Sequence, residues 1–164
     1  MITAITAAYK MVSKHGFADI MQNEMTGERS LHAASFFDTG DTICEFSADK
    51  ILDIATYLTV QTGEQKHITL LPDFLQYINH SCDPNVFFDT TAMQLITLKE
   101  IQPGDEFVFF YPSTEWEMAQ PFDCFCGTKN CLHRIQGAAF LSEKEIQHYR
   151  LTDFINAQLL NRKK

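Results

Sequence analysis

Cys124, Cys126 and Cys131 form a C-x-C-x4-C run whose sulfurs can converge on one metal ion. Two cysteines one residue apart suit a pair of thiolates on a cation better than a bond between their own sulfurs, given the separation a disulfide needs. Gly127 lies in a turn that can bring Cys131 round as a third ligand. A closed tetrahedral zinc site takes four ligands, and Cys44, Cys82, His80 and His133 are the candidates for the fourth. The alternative is a set of unliganded thiols, some buried as small apolar side chains. The spacing favours the metal, and Cys44, inside a strand-like run, reads as a core residue.

Two further stretches carry groups that suit a reaction site. Asn79-His80-Ser81-Cys82-Asp83-Pro84-Asn85 places an amide and an imidazole side by side, although Asn, Ser, Asp and Pro also make turns that bond their own backbone. Gly104-Asp105-Glu106-Phe107-Val108-Phe109-Phe110-Tyr111 ends in a tyrosine. That hydroxyl either finds a routine partner in a half-buried strand or faces chemistry.

The elements that would position these residues are short. Ile2, Ile5, Ala8, Tyr9 and Val12 have a spacing that suits a short amphipathic helix over residues 1–15, with an irregular packed arm as the alternative. From Ala33 onward the pattern turns to β-like runs at Thr42 to Phe46, Tyr57 to Val60, Val86 to Phe88, Leu95 to Leu98 and Phe107 to Tyr111. Pro103-Gly104-Asp105 signals a turn before the last of them. Ser142 and Glu145 have the spacing of a capping box, and Ile146, Tyr149, Phe154 and Ile155 line one face of a single closing helix. The basic end Arg162-Lys163-Lys164 would complement that helix's negative terminus or fray.

With 164 residues, 45% of them hydrophobic, the chain fits one globular unit with a substantial core. A formal charge of −8 argues against direct binding to nucleic-acid backbones and suits a basic protein tail better. Five cysteines is an odd number, and Lys10 and Lys14 interrupt the apolar start where a secretory signal would lie. A reducing, intracellular setting is therefore expected, with cytoplasm and nucleus not distinguished. No apolar stretch approaches the ~20 residues needed to cross a bilayer, so no membrane association is expected.

Taken together, the Asn79 to Asn85 segment, the Gly104 to Tyr111 segment and the cysteine run resemble the SET-domain protein lysine methyltransferases, over roughly Gly16 to Gly137. The resemblance implies a mainly β (β+α) fold of short curved sheets with a threaded, knot-like centre, a zinc-bound post-SET segment and a C-terminal helix. It divides the chain into an N-terminal arm (1–15), a SET domain (16–112), a post-SET zinc-binding segment (113–137) and a closing helix and tail (138–164). It selects Cys82 as the zinc ligand beside Cys124, Cys126 and Cys131. It implies S-adenosylmethionine as cofactor, contacted by Arg29, Ser30, Leu31, Tyr77, Asn79, His80, Tyr111 and Phe125. Tyr111 takes the position of the catalytic tyrosine, and Tyr77, Phe109 and Tyr111 that of the substrate channel. Phe109, lacking a hydroxyl, implies di- or trimethylation.

The implied reaction is a direct displacement at a sulfonium carbon. The cofactor carries the electrophile while the protein supplies alignment and excludes water. A lysine amine, with a reference pKa of ~10.4, attacks only when neutral, a state that an apolar channel and a nearby sulfonium both favour. Weak C–H···O contacts from a tyrosine hydroxyl and carbonyls can orient the methyl group.

The sequence departs from the family in places. Glu28 and Ser30 stand where a G-x-G-x-x-A loop ending at Ala33 would have glycines, and Gly27 lies one residue too early. Gln76 replaces a usual arginine, Phe110 a common aspartate, and His133 a glycine often found two residues after the last cysteine. The expected activity is a lysine methyltransferase acting on lysine-containing proteins, with histone-like tails first. The alternatives are a non-histone substrate such as a ribosomal protein, and a catalytically inactive SET fold that binds zinc and a partner. A thiol-based redox sensor ignores Tyr111 and the Asn79-His80 pair. Oligomeric state is left open.

Overall fold

The computed structural model describes residues 8–163. The strands are β1 (Tyr9–Lys14), β2 (Ala18–Asn23), β3 (Arg29–Ala33), β4 (Thr42–Glu45), β5 (Ser47–Leu52), β6 (Val60–Gly63), β7 (Lys66–Leu71), β8 (Asn79–His80), β9 (Val86–Asp89), β10 (Gln94–Thr97), β11 (Val108–Phe109), β12 (Phe122–Asp123) and β13 (Arg134–Ile135). Two helices close the chain, α1 (Glu143–His148) and α2 (Asp153–Arg162). The sheets are small: β1-β2-β3, β4-β10-β9 and β5-β7-β6 are three-stranded, and β8-β11 and β12-β13 two-stranded. This is the mainly β architecture of short sheets that the sequence implies.

One core joins the three larger sheets. Ala18, Ile20 and Leu31 from the first meet Ile68 and Leu70 from the third and Phe88 and Leu95 from the second, with Phe107 and Phe109 at the centre. Alternation does much of this work: in β2 and β3 Ala18, Ile20, Leu31 and Ala33 are buried while Asp19, Met21 and His32 reach solvent, and Ser30 is buried as well.

The N-terminal expectation needs correction. Ile2 and Ile5 lie outside the described residues, but Tyr9–Lys14 is a strand, paired antiparallel with β2 and carrying a bulge between Met11 and Ser13. Backbone pairing to a sheet edge outweighs the helical spacing of Tyr9 and Val12, and most of β1 stays exposed. The β2–β3 hairpin was not expected. Its turn is held by Asn23, whose Oδ1 accepts from the Met25 and Thr26 N–H groups. Gly27 takes φ +76° there, so the misplaced glycine serves the hairpin.

Tyr57 and Leu58 lie in a turn, and the expected strand begins only at Val60. Gln102 to Asp105 forms the expected turn, with Asp105 N–H donating to the Gln102 carbonyl at 3.0 Å. The capping box at Ser142 and Glu145 is present. The single closing helix is instead two, because α1 ends at Tyr149, whose ring stacks on Phe110 at 3.6 Å. Thr152 then caps α2. Arg162 donates to the Ala139 carbonyl at 2.7 Å, fastening the last turn to the body of the protein.

Candidate active site

Two segments far apart in sequence lie side by side at the centre. β8 and β11 run parallel, with Asn79 opposite Val108 and His80 opposite Phe109. Parallel pairs this short have little strength of their own, and side chains reinforce this one. Asn85 donates through Nδ2 to the Glu106 carbonyl at 2.9 Å and accepts at Oδ1 from Val108 N–H at 2.9 Å. Ser81 N–H donates to the Phe109 carbonyl at 3.0 Å.

His80 fixes Tyr111. Its Nδ1 accepts from Tyr111 N–H at 3.1 Å, so the neutral ring carries its proton on Nε2, 3.4 Å from Cys82 Sγ. Burial lowers the imidazole to about 4, which keeps it neutral. The Tyr111 hydroxyl is pushed up to about 12, by burial first and then by the charges of Glu106 and Glu115. It is therefore a hydroxyl and not a phenolate at neutral pH.

The four cysteines Cys82, Cys124, Cys126 and Cys131 come together, with all Sγ atoms within 4.8 Å of one another and Cys82 and Cys124 at 4.0 Å. Thiolates bound tetrahedrally to zinc at ~2.3 Å would be about 3.8 Å apart, so the set fits the ion. Cys44 stands apart in β4, half-buried against the main core, with its thiol raised to about 11 by burial. Neither His80 nor His133 joins the cluster. Burial raises the Cys82 and Cys124 thiols, the latter to about 11. Cys126 moves the other way: burial would raise it, but hydrogen bonds from Thr128 and neighbouring groups draw it down to about 6. A divalent cation would remove that inequality by holding all four as thiolates.

Around the cysteines the departures from the family find physical roles. His133 has φ +64°, the left-handed region that favours glycine, which accounts for the glycine often seen there. Gly137 has φ +117°, and a Cβ on it would collide with the Trp116 carbonyl oxygen. Phe110 turns away from the site into the C-terminal cluster with Leu151 and Ile155. Tyr149, stacked on it, donates its hydroxyl to the Cys82 carbonyl at 2.7 Å, tying α1 to the cysteine cluster.

Two cavities meet at this centre. A polar one of about 700 Å³ is lined by Glu28, Arg29, Ser30, Asn79, His80 and Glu106, with Tyr9, Tyr111 and the 122–126 segment completing it. Phe125 is 91% exposed at its edge. An apolar one of about 370 Å³ is lined by Leu70, Ile78, Phe88 and Phe109, by residues 55–60, and by the 118–122 segment with Glu115. Tyr111 and Phe122 belong to both.

Of the residues singled out from sequence, Arg29, Ser30, Asn79, His80, Tyr111 and Phe125 line the polar cavity and Phe109 and Tyr111 the apolar one. Leu31 and Tyr77 line neither. Leu31 is fully buried in the core, and its carbonyl accepts from Phe107 N–H at 2.8 Å. Tyr77 packs beside Arg29, which lies 5.7 Å over its ring. Sequence reasoning missed Glu106, Glu115 and Phe122. Glu106 stands in a quoted motif, whereas Glu115 and Phe122 carry no pattern of their own.

The SET domain family model matches residues 28–112, just over half of the chain. A methyltransferase of Aspergillus flavus, flvH, is 43% identical over 102 residues, covering 61% of this chain and 57% of that protein. A histone-lysine N-methyltransferase, H3 lysine-36 specific, of Gibberella zeae is 31% identical over 87 residues, 49% of this chain and 9% of that protein. The histone-lysine N-methyltransferase met-2 of Caenorhabditis elegans is 35% identical over 71 residues, 37% of this chain and 5% of that protein. The chain thus spans little more than half of the first relative and less than a tenth of the two histone enzymes.

Proposed function

The chain belongs to the SET-domain family of methyltransferases, and from that premise we propose that it is an S-adenosylmethionine-dependent protein-lysine N-methyltransferase. The observation that carries this reading is the shared wall: Tyr111 borders both the polar and the apolar cavity. A transfer between two molecules bound on opposite sides of one residue needs that arrangement.

The polar cavity suits the cofactor's chemistry. Arg29 offers a cation to a carboxylate, Glu28 and Glu106 offer carboxylates to an ammonium and a sulfonium, and the exposed Phe125 ring offers a face to adenine. With serine and glutamate in place of the family glycines, the cavity still measures about 700 Å³. The bound cofactor supplies an electrophilic methyl group. His80 positions the Tyr111 backbone, and the protonated Tyr111 hydroxyl orients the incoming amine. Phe109, edge-on to Phe88 and 4.7 Å from Tyr111 between ring centres, narrows the apolar passage. Its lack of a hydroxyl supports addition of more than one methyl group.

Zinc held by Cys82, Cys124, Cys126 and Cys131 would have a structural part. Those four cysteines would let it join the central segment to the tail that supplies Phe122 and Phe125 to the cavities. These assignments extend the domain reading of an arm at 1–15, a SET domain at 16–112, a post-SET segment at 113–137 and a closing region at 138–164.

The names of the H3 lysine-36 relatives and the acidic balance of −8 favour a basic, histone-like substrate. Among the described residues no helix is long and apolar enough to cross a membrane. The test is mass spectrometry of histones and ribosomal proteins incubated with the protein and S-adenosylmethionine. Methyl-lysine on a histone tail is expected. Methylation of ribosomal proteins alone would move the substrate class, and no methylation together with no cofactor binding would turn the reading to an inactive binding module.

A further inference from the structure

The apolar cavity contains one carboxyl group. Among the described residues that line it, Glu115 alone has a carboxyl, amine, guanidinium or imidazole side chain. It follows the turn at Tyr111–Ser113, and its backbone is fixed on both sides: its N–H donates to the Tyr111 carbonyl at 3.1 Å and its carbonyl accepts from Ala138 N–H at 2.8 Å. The residue is 8% exposed.

Its side chain is half satisfied. Oε1 accepts from Gln61 N–H at 3.3 Å and from the Thr114 hydroxyl at 3.3 Å. Among the described residues no donor reaches Oε2 and no cation pairs with the carboxylate. Both bonds at Oε1 need only an oxygen acceptor, which a glutamine amide would supply equally well. A carboxylate there carries the added cost of a buried, unpaired charge. A cationic ligand entering the cavity would offset that cost.

We infer that Glu115 is the residue that receives the substrate ammonium: its free oxygen accepts an N–H hydrogen bond from the incoming cation and then takes the proton. The inference rests on the apolar cavity being the amine's entrance. The step is balanced. The N–H bond breaks, an O–H bond forms on Glu115, the ammonium becomes a neutral amine, and the nitrogen keeps the electron pair with which it attacks the methyl carbon. The proton leaves to solvent when the methylated product departs.

The environment suits this exchange. Burial, opposed by the hydrogen bonds from Gln61 and Thr114, raises the Glu115 carboxyl to about 8, nearer to the ~10.4 of a lysine ammonium than an ordinary carboxyl lies. The other titratable groups facing the cavity are the phenols of Tyr111 and of Tyr57, the latter exposed at its mouth. Specificity follows from the single carboxyl, which an arriving cation favours in its ionised form: a primary ammonium on an apolar stem is held by Glu115 at its head and by Phe88, Phe109 and Ile78 along its length, whereas a neutral side chain of the same length lacks the head contact.

The experiment titrates the zinc-loaded full chain, with S-adenosylhomocysteine present, with N-acetyl-lysine methylamide and with N-acetyl-norleucine methylamide, following both by NMR. The wild type is expected to bind the lysine compound at least about tenfold more tightly, as a charge-assisted contact implies. Glu115→Gln should abolish that preference while leaving affinity for S-adenosylhomocysteine unchanged, and Glu115→Asp, which keeps the charge, should retain part of it. No preference in the wild type, or an equal preference in Glu115→Gln, would overturn the inference. Should Glu115→Gln fail to fold, a preference in Glu115→Asp as large as that of the wild type would overturn it. A clear preference without methylation of any protein would instead refute the methyltransferase reading and leave the cation site standing.

Discussion

The two cavities that meet at Tyr111 are built on opposite plans. The polar one gathers Glu28, Arg29, Ser30, Asn79, His80 and Glu106 from three segments far apart in the chain, so that several fixed polar groups can address one small ligand. The apolar one is shaped by Leu70, Ile78, Phe88 and Phe109, with a lone carboxyl at Glu115. Many directional contacts select a particular ligand, whereas shape and one carboxyl admit any chain that ends in a cation. Under the proposed reading, the contrast would let one site be strict about its methyl donor and lenient about the chain that carries the amine.

Removing zinc should break the comparison most visibly. Cys124, Phe125 and Cys126 line only the polar cavity, so a chelator or Cys124→Ser should weaken cofactor binding far more than binding of the lysine compound. Even supporting residues of metal sites are worth about 10- to 100-fold, and a loss of cofactor affinity of at least about 100-fold is expected by calorimetry. An equal loss at both cavities would mean that the tail is a general part of the fold.

A smaller effect separates the cavities by pH. The Glu115 carboxyl is raised from an ordinary 4.5 to about 8 by burial. The folded state therefore holds this proton more tightly than the unfolded chain does. Its contribution to stability is fully present below about pH 4.5 and is lost as pH rises through about 8. Glu115→Gln cannot titrate there, so the wild type should lose roughly 5–10 °C in Tm relative to the variant between pH 5 and pH 9, by the usual scaling of Tm with stability. Thermal melts across that range check it, and parallel curves would contradict the burial of an ionisable group at this position.

The smallest effect concerns the link between the helices and the cysteine cluster. Tyr149→Phe removes the hydroxyl that donates to the Cys82 carbonyl but keeps the ring stacked on Phe110. Loss of one such bond costs about 1 kcal/mol, or about 2–4 °C in Tm for a chain of this size. Methyl transfer should stay within about threefold of the wild type. A large loss of activity would mean that the hydroxyl positions the cysteine-bearing segment, which would draw α1 into the polar cavity's support.

What was legible in the sequence follows the same division. The cysteine cluster could be read because metal geometry imposes spacing on the chain, and Cys82, Cys124, Cys126 and Cys131 do converge. Asn79, His80 and Tyr111 could be read because two motifs had to lie side by side to bring them together, as β8 and β11 do. The apolar cavity was not legible. Its walls at residues 55–60 and 118–121 are turns and loops without periodicity, and a glutamate in such a stretch reads as solvated.

Tertiary contacts also overrode local signals. The β1 strand shows no alternation because most of it is exposed, so only its pairing with β2 defines it. The closing helix divides at Tyr149, whose partners Phe110 and Cys82 lie far away in sequence. Tyr77 is adjacent to the first motif, yet the turn at Asp73–Tyr77 leaves it beneath Arg29, where it lines neither cavity. Proximity in sequence to a motif does not place a side chain in its site.

The central claim is that methyl transfer takes place where Tyr111 separates the two cavities. Its most direct test is single-turnover transfer of a labelled methyl group to a histone-tail peptide, comparing the wild type with Tyr111→Phe alongside the affinity of each for the cofactor. The account predicts that the variant binds cofactor within about threefold of the wild type while transfer slows by about 100- to 1000-fold, the usual effect of removing one oriented donor from a reaction site. Transfer at the wild-type rate, or a loss of transfer matched by an equal loss of cofactor affinity, would contradict it.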